Sequence, residues 1–220
     1  MARVSIPEME ATGHTPETAF SQIMLLAESA TERLSVGHRK NDLTDATGTL
    51  LAMGQKFLKQ AYSLQTLADL EQDAMSCYGL IRMQADNLCV MYRIYANKNE
   101  DETTFRYLLY FLDGNRQRKE TLSCDYQYDG HCTKEENDSI HKQVGSAIAN
   151  AESVINTCLK LLDNHPYKTL NPTLFQKIVD AGNWKYETFD ATLTKPKRQT
   201  WEDLYAQIDI RQNIQSFYSY

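Results

Sequence analysis

Along most of this chain, apolar residues return every three or four positions, and that period decides the class of fold. Steps of three and four keep side chains on one face of an α-helix, whereas a half-buried strand would alternate from residue to residue. No alternating pattern persists beyond a few residues. Glycine and proline, the usual punctuation of short elements, number only 9 and 5 in 220 residues, so long helices with few breaks are expected. The chain reads as all-α, a helical bundle of six or seven helices with long up-and-down members.

The helices can be placed from their start and stop signals. Residues 1–14 lack periodicity and read as a flexible arm, followed by one bundle domain over 15–220. Thr15-Pro16-Glu17 supplies a hydroxyl cap, a proline at the first helical position and an acid at the positive dipole end. Phe20, Ile23, Met24, Ala27, Thr31 and Leu34 follow as one stripe, ending near Gly37-His38-Arg39-Lys40. Asp42 or Thr44 is the expected cap of a second helix, with core positions Leu50, Met53, Phe57, Ala61, Leu64 and Leu67.

The run from Ala74 to Ala96 is apolar on several faces: Cys77, Ile81, Leu88, Tyr92 and Tyr95 on one, Met75, Tyr78, Cys89 and Met91 on others. Such a helix is expected at the centre of a bundle, covered all round. A shorter helix with Phe105, Leu108, Leu109 and Leu112 is expected to close at Asp113-Gly114-Asn115. A polar connection over 114–132 follows. Thr133 with Glu136 has capping-box spacing and opens a long helix through Leu162. Asn171-Pro172 begins a short one, and Thr200 can cap a last helix bearing Leu204, Ile208, Ile214 and Phe217. That helix shows no stop signal before Tyr220, so the bundle is expected to be truncated or to end against a partner.

Composition narrows the function classes. Hydrophobic residues make up 42% and charged residues 24%, and a domain of this size needs no metal or disulfide staple to fold. The net charge of −6 speaks against bulk DNA or anionic-lipid binding, where phosphate neutralisation dominates. Five cysteines at irregular spacing, three of them in apolar helical runs, indicate thiols in a reducing compartment. No apolar run is long enough for a membrane span or a leader. The expected location is the cytoplasm.

Arg33 and His38, five positions apart at a helix end, are the first candidates for chemistry. A histidine near neutral pKa can move the proton of a ribose hydroxyl while an arginine steadies charge on the phosphate. The bland alternative is a basic helix terminus complementing its dipole. The Arg-x4-His spacing resembles the active-site motif of the HEPN superfamily, helical bundles that include ribonuclease toxins and phage-defence effectors. Here Arg39-Lys40 follow the histidine, where that superfamily usually has an apolar residue on a later helix.

Arg82 and Asp86, within Ile81-Arg-Met-Gln-Ala-Asp-Asn87, are the second pair. Four apart on one helical face, they form either a structural ion pair or part of a site. The surrounding stretch, with its LIRMQADNLCVMYRIY core, resembles uncharacterised bacterial helical-bundle proteins grouped loosely with HEPN-like families. In those proteins a Ser-x-x-Val-His-like segment follows near the C-terminus, a region this chain only approaches at Ser216-Phe-Tyr-Ser219.

Lys195, Lys197 and Arg198, near Tyr126, Tyr128, Trp184, Tyr186 and Trp201, are nucleic-acid contact candidates through stacking, although aromatics in such segments commonly lock loops onto a bundle. Cys124, His131, Cys132 and His141 are ligand types, but their spacing matches no zinc site and no metal or cofactor is expected. Phosphate loops and nucleophile elbows are missing. The resemblance implies a metal-independent ribonuclease in phage defence or a toxin–antitoxin pair. The alternative is a non-enzymatic module that pairs, as a homodimer or with another chain, through its last helix.

Overall fold

A computed structural model of the chain describes residues 15–36, 45–68, 73–97, 99–123 and 132–208. Among the described residues there are eight helices and no strand: α1 (Pro16–Val36), α2 (Ala46–Thr66), α3 (Ala74–Tyr95), α4 (Glu100–Leu122), α5 (Lys134–Asp163), α6 (Pro166–Leu170), α7 (Pro172–Asp180) and α8 (Trp201–Gln207). The all-α expectation holds. The division into two compact units falls inside α3, between Leu88 and Cys89. The arm over 1–14, His38, the 124–131 connection and the segment after Ile208 lie outside the described residues.

In the first unit α1 begins where its start signal lies, with the Thr18 amide donating to Thr15 Oγ1 at 3.3 Å. Met24 is buried against Leu58 and Ala61 of α2, with Phe20 and Ala27 partly buried beside them. Ile23 and Leu34, expected on the same inward stripe, are instead exposed; the buried face is narrower than the apolar one. The cap of α2 is Asp45, which accepts from the Gly48 amide at 2.9 Å, while Asp42 and Thr44 lie outside the described residues. The inward face of α2 carries Leu51, Leu58, Gln60 and Ala61, so only Ala61 of the expected core positions is fully buried. The joint between α2 and α3 is polar: Asn87 Nδ2 donates to Gln60 Oε1 at 2.9 Å and Gln84 Nε2 to the Phe57 carbonyl at 3.3 Å.

The second unit is built around α4, and two expectations are corrected here. α3 is not covered all round, since Met75, Tyr78, Met83, Leu88 and Tyr92 are exposed and only Cys89, Val90 and Ile94 are fully buried. The enclosed helix is α4, which buries Phe105, Arg106, Tyr107, Leu108, Leu109 and Leu112. Nor does α4 close at Asp113-Gly114-Asn115; it continues to Leu122. A mid-helix glycine costs about 1 kcal/mol relative to alanine. Tertiary bonds offset that cost: Arg116 Nη1 donates to the Val179 and Asp180 carbonyls at 2.9 and 3.0 Å, satisfying the end of α7.

α4 and α5 pack antiparallel. Lys119 near the end of α4 pairs with Glu152 at 2.8 Å, while Asp101 at its start meets His165 just past the end of α5. The capping box at α5 is present, with Thr133 and Glu136 bonded reciprocally, and Thr200 with Asp203 forms another at α8. After α7 the chain turns on Gly182, whose φ of +57° suits glycine; a Cβ there would lie 3.2 Å from Asp113 Oδ1. Residues 183–200 then run without a helix, closed on themselves by one antiparallel bridge between Tyr186 and Arg198.

Candidate interaction surface

Several of the residues singled out by motif lie outside the described residues. Arg33 is exposed on the last turn of α1, and His38, its expected partner, lies outside the described residues. Arg82 is exposed and Asp86 half-buried on α3, so this is not the buried charge pair that the apolar run suggested. Lys195, Lys197 and Arg198 are exposed, with Lys197 paired to Glu187 at 2.9 Å. Trp184 and Tyr186 are 5% and 0% exposed; they lock a loop and offer no face to a base. Tyr126 and Tyr128 lie outside the described residues. Of the possible metal ligands, Cys124 and His131 also lie outside them, and no group of three potential ligands occurs among the described residues.

A polar cluster does exist, at residues that no sequence motif marks. Arg106, 2% exposed, grips Glu102 Oε1 through Nε at 2.6 Å and Nη2 at 2.5 Å. Its Nη1 donates to the carbonyls of Trp184 and Tyr186 at 3.0 and 2.7 Å, and its guanidinium carbon stands 3.8 Å from the centre of the Tyr186 ring. Arg93, from the end of α3, donates to the carbonyls of Tyr186 and Glu187 at 2.5 and 2.8 Å. The planar fork of arginine suits this task, because it presents several donors in fixed directions. Burial, reinforced by Arg106, brings the Arg93 guanidinium down to about 10, which still leaves it charged at neutral pH.

Around this clamp lies an aromatic shell. Phe105 contacts His165, Tyr167, Phe175, Tyr186 and Phe189, with ring centroids 5.0–5.7 Å apart. Tyr167 donates its hydroxyl to Glu102 Oε2 at 2.9 Å and stacks on Phe189 at 4.2 Å. Burial and the Glu102 carboxylate both push the Tyr167 hydroxyl above its ordinary pKa. His165 Nδ1 accepts from the Tyr167 amide at 3.2 Å while Nε2 meets the Asp101 carbonyl at 3.0 Å. An amide can only donate and a carbonyl only accept, so the ring is neutral with its proton on Nε2. Burial lowers its pKa, against the opposing pull of Asp101 and Glu102.

Chemically, this cluster is closed. Arg106 directs its donors to main-chain carbonyls and to Glu102, whereas the buried Arg93 Nε and Tyr186 hydroxyl make no hydrogen bond among the described residues. No nucleophile of the cluster stands beside a base with room for a substrate. An open groove of about 580 Å³ between α5 and α7, lined by Leu159, Lys160, Asp163, Phe175 and Val179 among others, also lacks a nucleophile–base pair.

The distinctive surface is on α3. Tyr78, Ile81, Ala85, Leu88 and Tyr92 recur at steps of three, four, three and four, the spacing that keeps one seam on one side of a helix. Tyr78, Leu88 and Tyr92 are 51%, 40% and 47% exposed, and Met75 at the rim is 72% exposed; Ile81 and Ala85 are half-buried. Asn87 and Gln84, which reach toward α2, lie on a different side of the same helix. An apolar stripe of this kind is a candidate interaction surface, whereas scattered exposed side chains need no explanation. No helix among the described residues is long and apolar enough to cross a membrane. No family model, curated protein or solved structure matches the chain.

Proposed function

We propose that this protein acts as a non-catalytic interaction module that receives a helix on the outer face of α3. The observation that carries the reading is the seam Tyr78-Ile81-Ala85-Leu88-Tyr92. It is apolar, in register over two heptads and exposed at both tyrosines. Helical partners read such faces through anchors at three- and four-residue spacing. The polar machinery of the second unit, by contrast, grips the chain's own backbone. The ribonuclease expectation rests on the Arg33–His38 spacing and on the HEPN resemblance; Arg33 stands exposed on its helix end.

The test is isolation of the full chain from its native source with its assembly mass measured. The module reading expects a mass above that of one chain, falling to one chain in a Leu88→Lys variant whose helical circular dichroism is unchanged. A single-chain mass for the wild type, together with RNA cleavage that is lost in His38→Ala, would replace this reading with the nuclease.

A further inference from the structure

The second unit holds a buried lysine that the arginine clamp does not use. Lys185 lies between Trp184 and Tyr186, whose carbonyls Arg106 grips, and its own carbonyl accepts from the Gln199 amide at 2.8 Å. The backbone around the residue is therefore fixed on both sides. Its side chain is packed among rings: Lys185 is 8% exposed, with Nζ 4.7 Å from the centre of the Trp201 ring and 5.7 Å from that of Trp184. We propose that Lys185 is a nucleophilic amine that captures a small aldehyde as an imine. The proposal is independent of the face on α3.

A buried ammonium has three donors to satisfy and is ordinarily held by acceptors or by a carboxylate. Among the described residues, Lys185 Nζ has neither a hydrogen-bond acceptor nor an ion-pair partner. Asp113 and Arg198 act on it only through space, the first favouring the charged form and the second opposing it. The ring faces also favour the charged form, by about 0.5–1 kcal/mol at sites open to water. Burial is the larger influence, and together with Arg198 it brings the amine below the ordinary lysine range. Desolvation among apolar rings and a neighbouring cation are the two circumstances that make a lysine nucleophilic near neutral pH. The little surface left open restricts the reactant to a small molecule.

A neighbouring group suits the product. The bridge between Tyr186 and Arg198 sets Lys185 opposite Gln199, and facing residues of an antiparallel pair put their side chains on the same side. Gln199 Oε1 is buried without a donor. In the reaction the amine lone pair attacks the carbonyl carbon and forms the C–N bond. The carbonyl oxygen then departs as water, carrying the equivalent of both amine protons, and the imine remains. A proton taken up from solvent gives the iminium, whose single N–H can be donated to Gln199 Oε1. The free ammonium would need three acceptors, whereas the product needs one.

Glyoxylate with cyanoborohydride tests this on the recombinant full chain. Reduction fixes each imine as a secondary amine, and peptide mass spectrometry assigns it to its lysine. At neutral pH Lys185 should be modified several-fold faster than Lys195, an exposed lysine of the same segment. In denaturant the two should react alike, because the burial that favours the free amine is gone. Modification of Lys185 no faster than that of Lys195 in the folded protein would overturn the proposal. So would an advantage that survives denaturation, since it could not come from the folded surroundings of the amine.

Discussion

The two units solve the same problem, holding amphipathic helices together, in opposite ways. Among the described residues of the first unit, Met24 is buried with Leu58 and Ala61, and α1 and α2 are also joined by a side-chain bond from Tyr62 to Glu28 at 2.6 Å. Apolar residues such as Ile23, Leu26 and Tyr78 are left facing outward. In the second unit one aromatic ring, Phe105, touches five others, and two arginines tie an irregular segment to the helices. A unit that has spent its apolar surface on itself is equipped for stability. One that leaves a face open has surface available for a partner.

The largest effect expected from breaking this contrast is at Arg106. Arg106→Ala strands the Glu102 carboxylate and the carbonyls of Trp184 and Tyr186 in a closed interior, and should destabilise the second unit by about 3–5 kcal/mol. Thermal unfolding followed by tryptophan fluorescence reads that unit, since both tryptophans, Trp184 and Trp201, belong to it. Arg106→Lys should recover little, because an ammonium cannot reproduce the fork. A drop below about 1 kcal/mol for the alanine variant would mean that the clamp follows the fold and does not sustain it.

Gly182→Ala should cost about 1–2 kcal/mol, from the left-handed backbone and from the close approach of Asp113. Chemical denaturation measures it, and an unchanged midpoint would show that the turn relaxes freely.

The second unit should also respond to pH, through His165. The buried ring is harder to protonate folded than unfolded, so the unfolded chain takes up the extra proton as pH falls. Stability contributed by the neutral ring is therefore complete above the ordinary histidine value of about 6.5 and is lost below it, by at most about 1.4 kcal/mol per pH unit. Melting temperatures between neutral and mildly acid pH should show this slope, and His165→Asn should flatten it. Equal slopes in the two proteins would remove His165 as the cause.

The smallest effect belongs to the first unit. Tyr62→Phe removes an exposed bond to Glu28, and exchange of such a bond for water should leave the melting temperature unchanged within error. A measurable loss would show that this unit depends on its polar contacts more than its open faces suggest.

Local signals in the sequence are dependable here. Thr15, Thr133 and Thr200 begin helices because their hydroxyls satisfy amides within one turn, a requirement met by residues three apart. Signals that need tertiary context mislead. Asp113-Gly114-Asn115 looks like a stop, yet bonds made by Arg116 to α7 keep the helix running. The apolar breadth of α3 suggests burial, with Arg82 as its costly charge, but the costly buried charge stands one helix later. Arg106 sits inside Phe105-Arg-Tyr-Leu-Leu109 with Glu102 one turn before it, and that pairing is the available signal. Its targets, main-chain carbonyls some 80 positions away, leave no trace in residue identities.

The hydrogen bonds from Arg93 and Arg106 to residues 184–187 all end on backbone oxygens, and every residue type supplies that atom. At Tyr186 the ring adds a contact of its own under the Arg106 guanidinium, while the hydrogen bonds are blind to side-chain identity. Glu187, exposed at the surface, can thus drift in sequence while the path of the chain through the clamp stays where the two arginines put it.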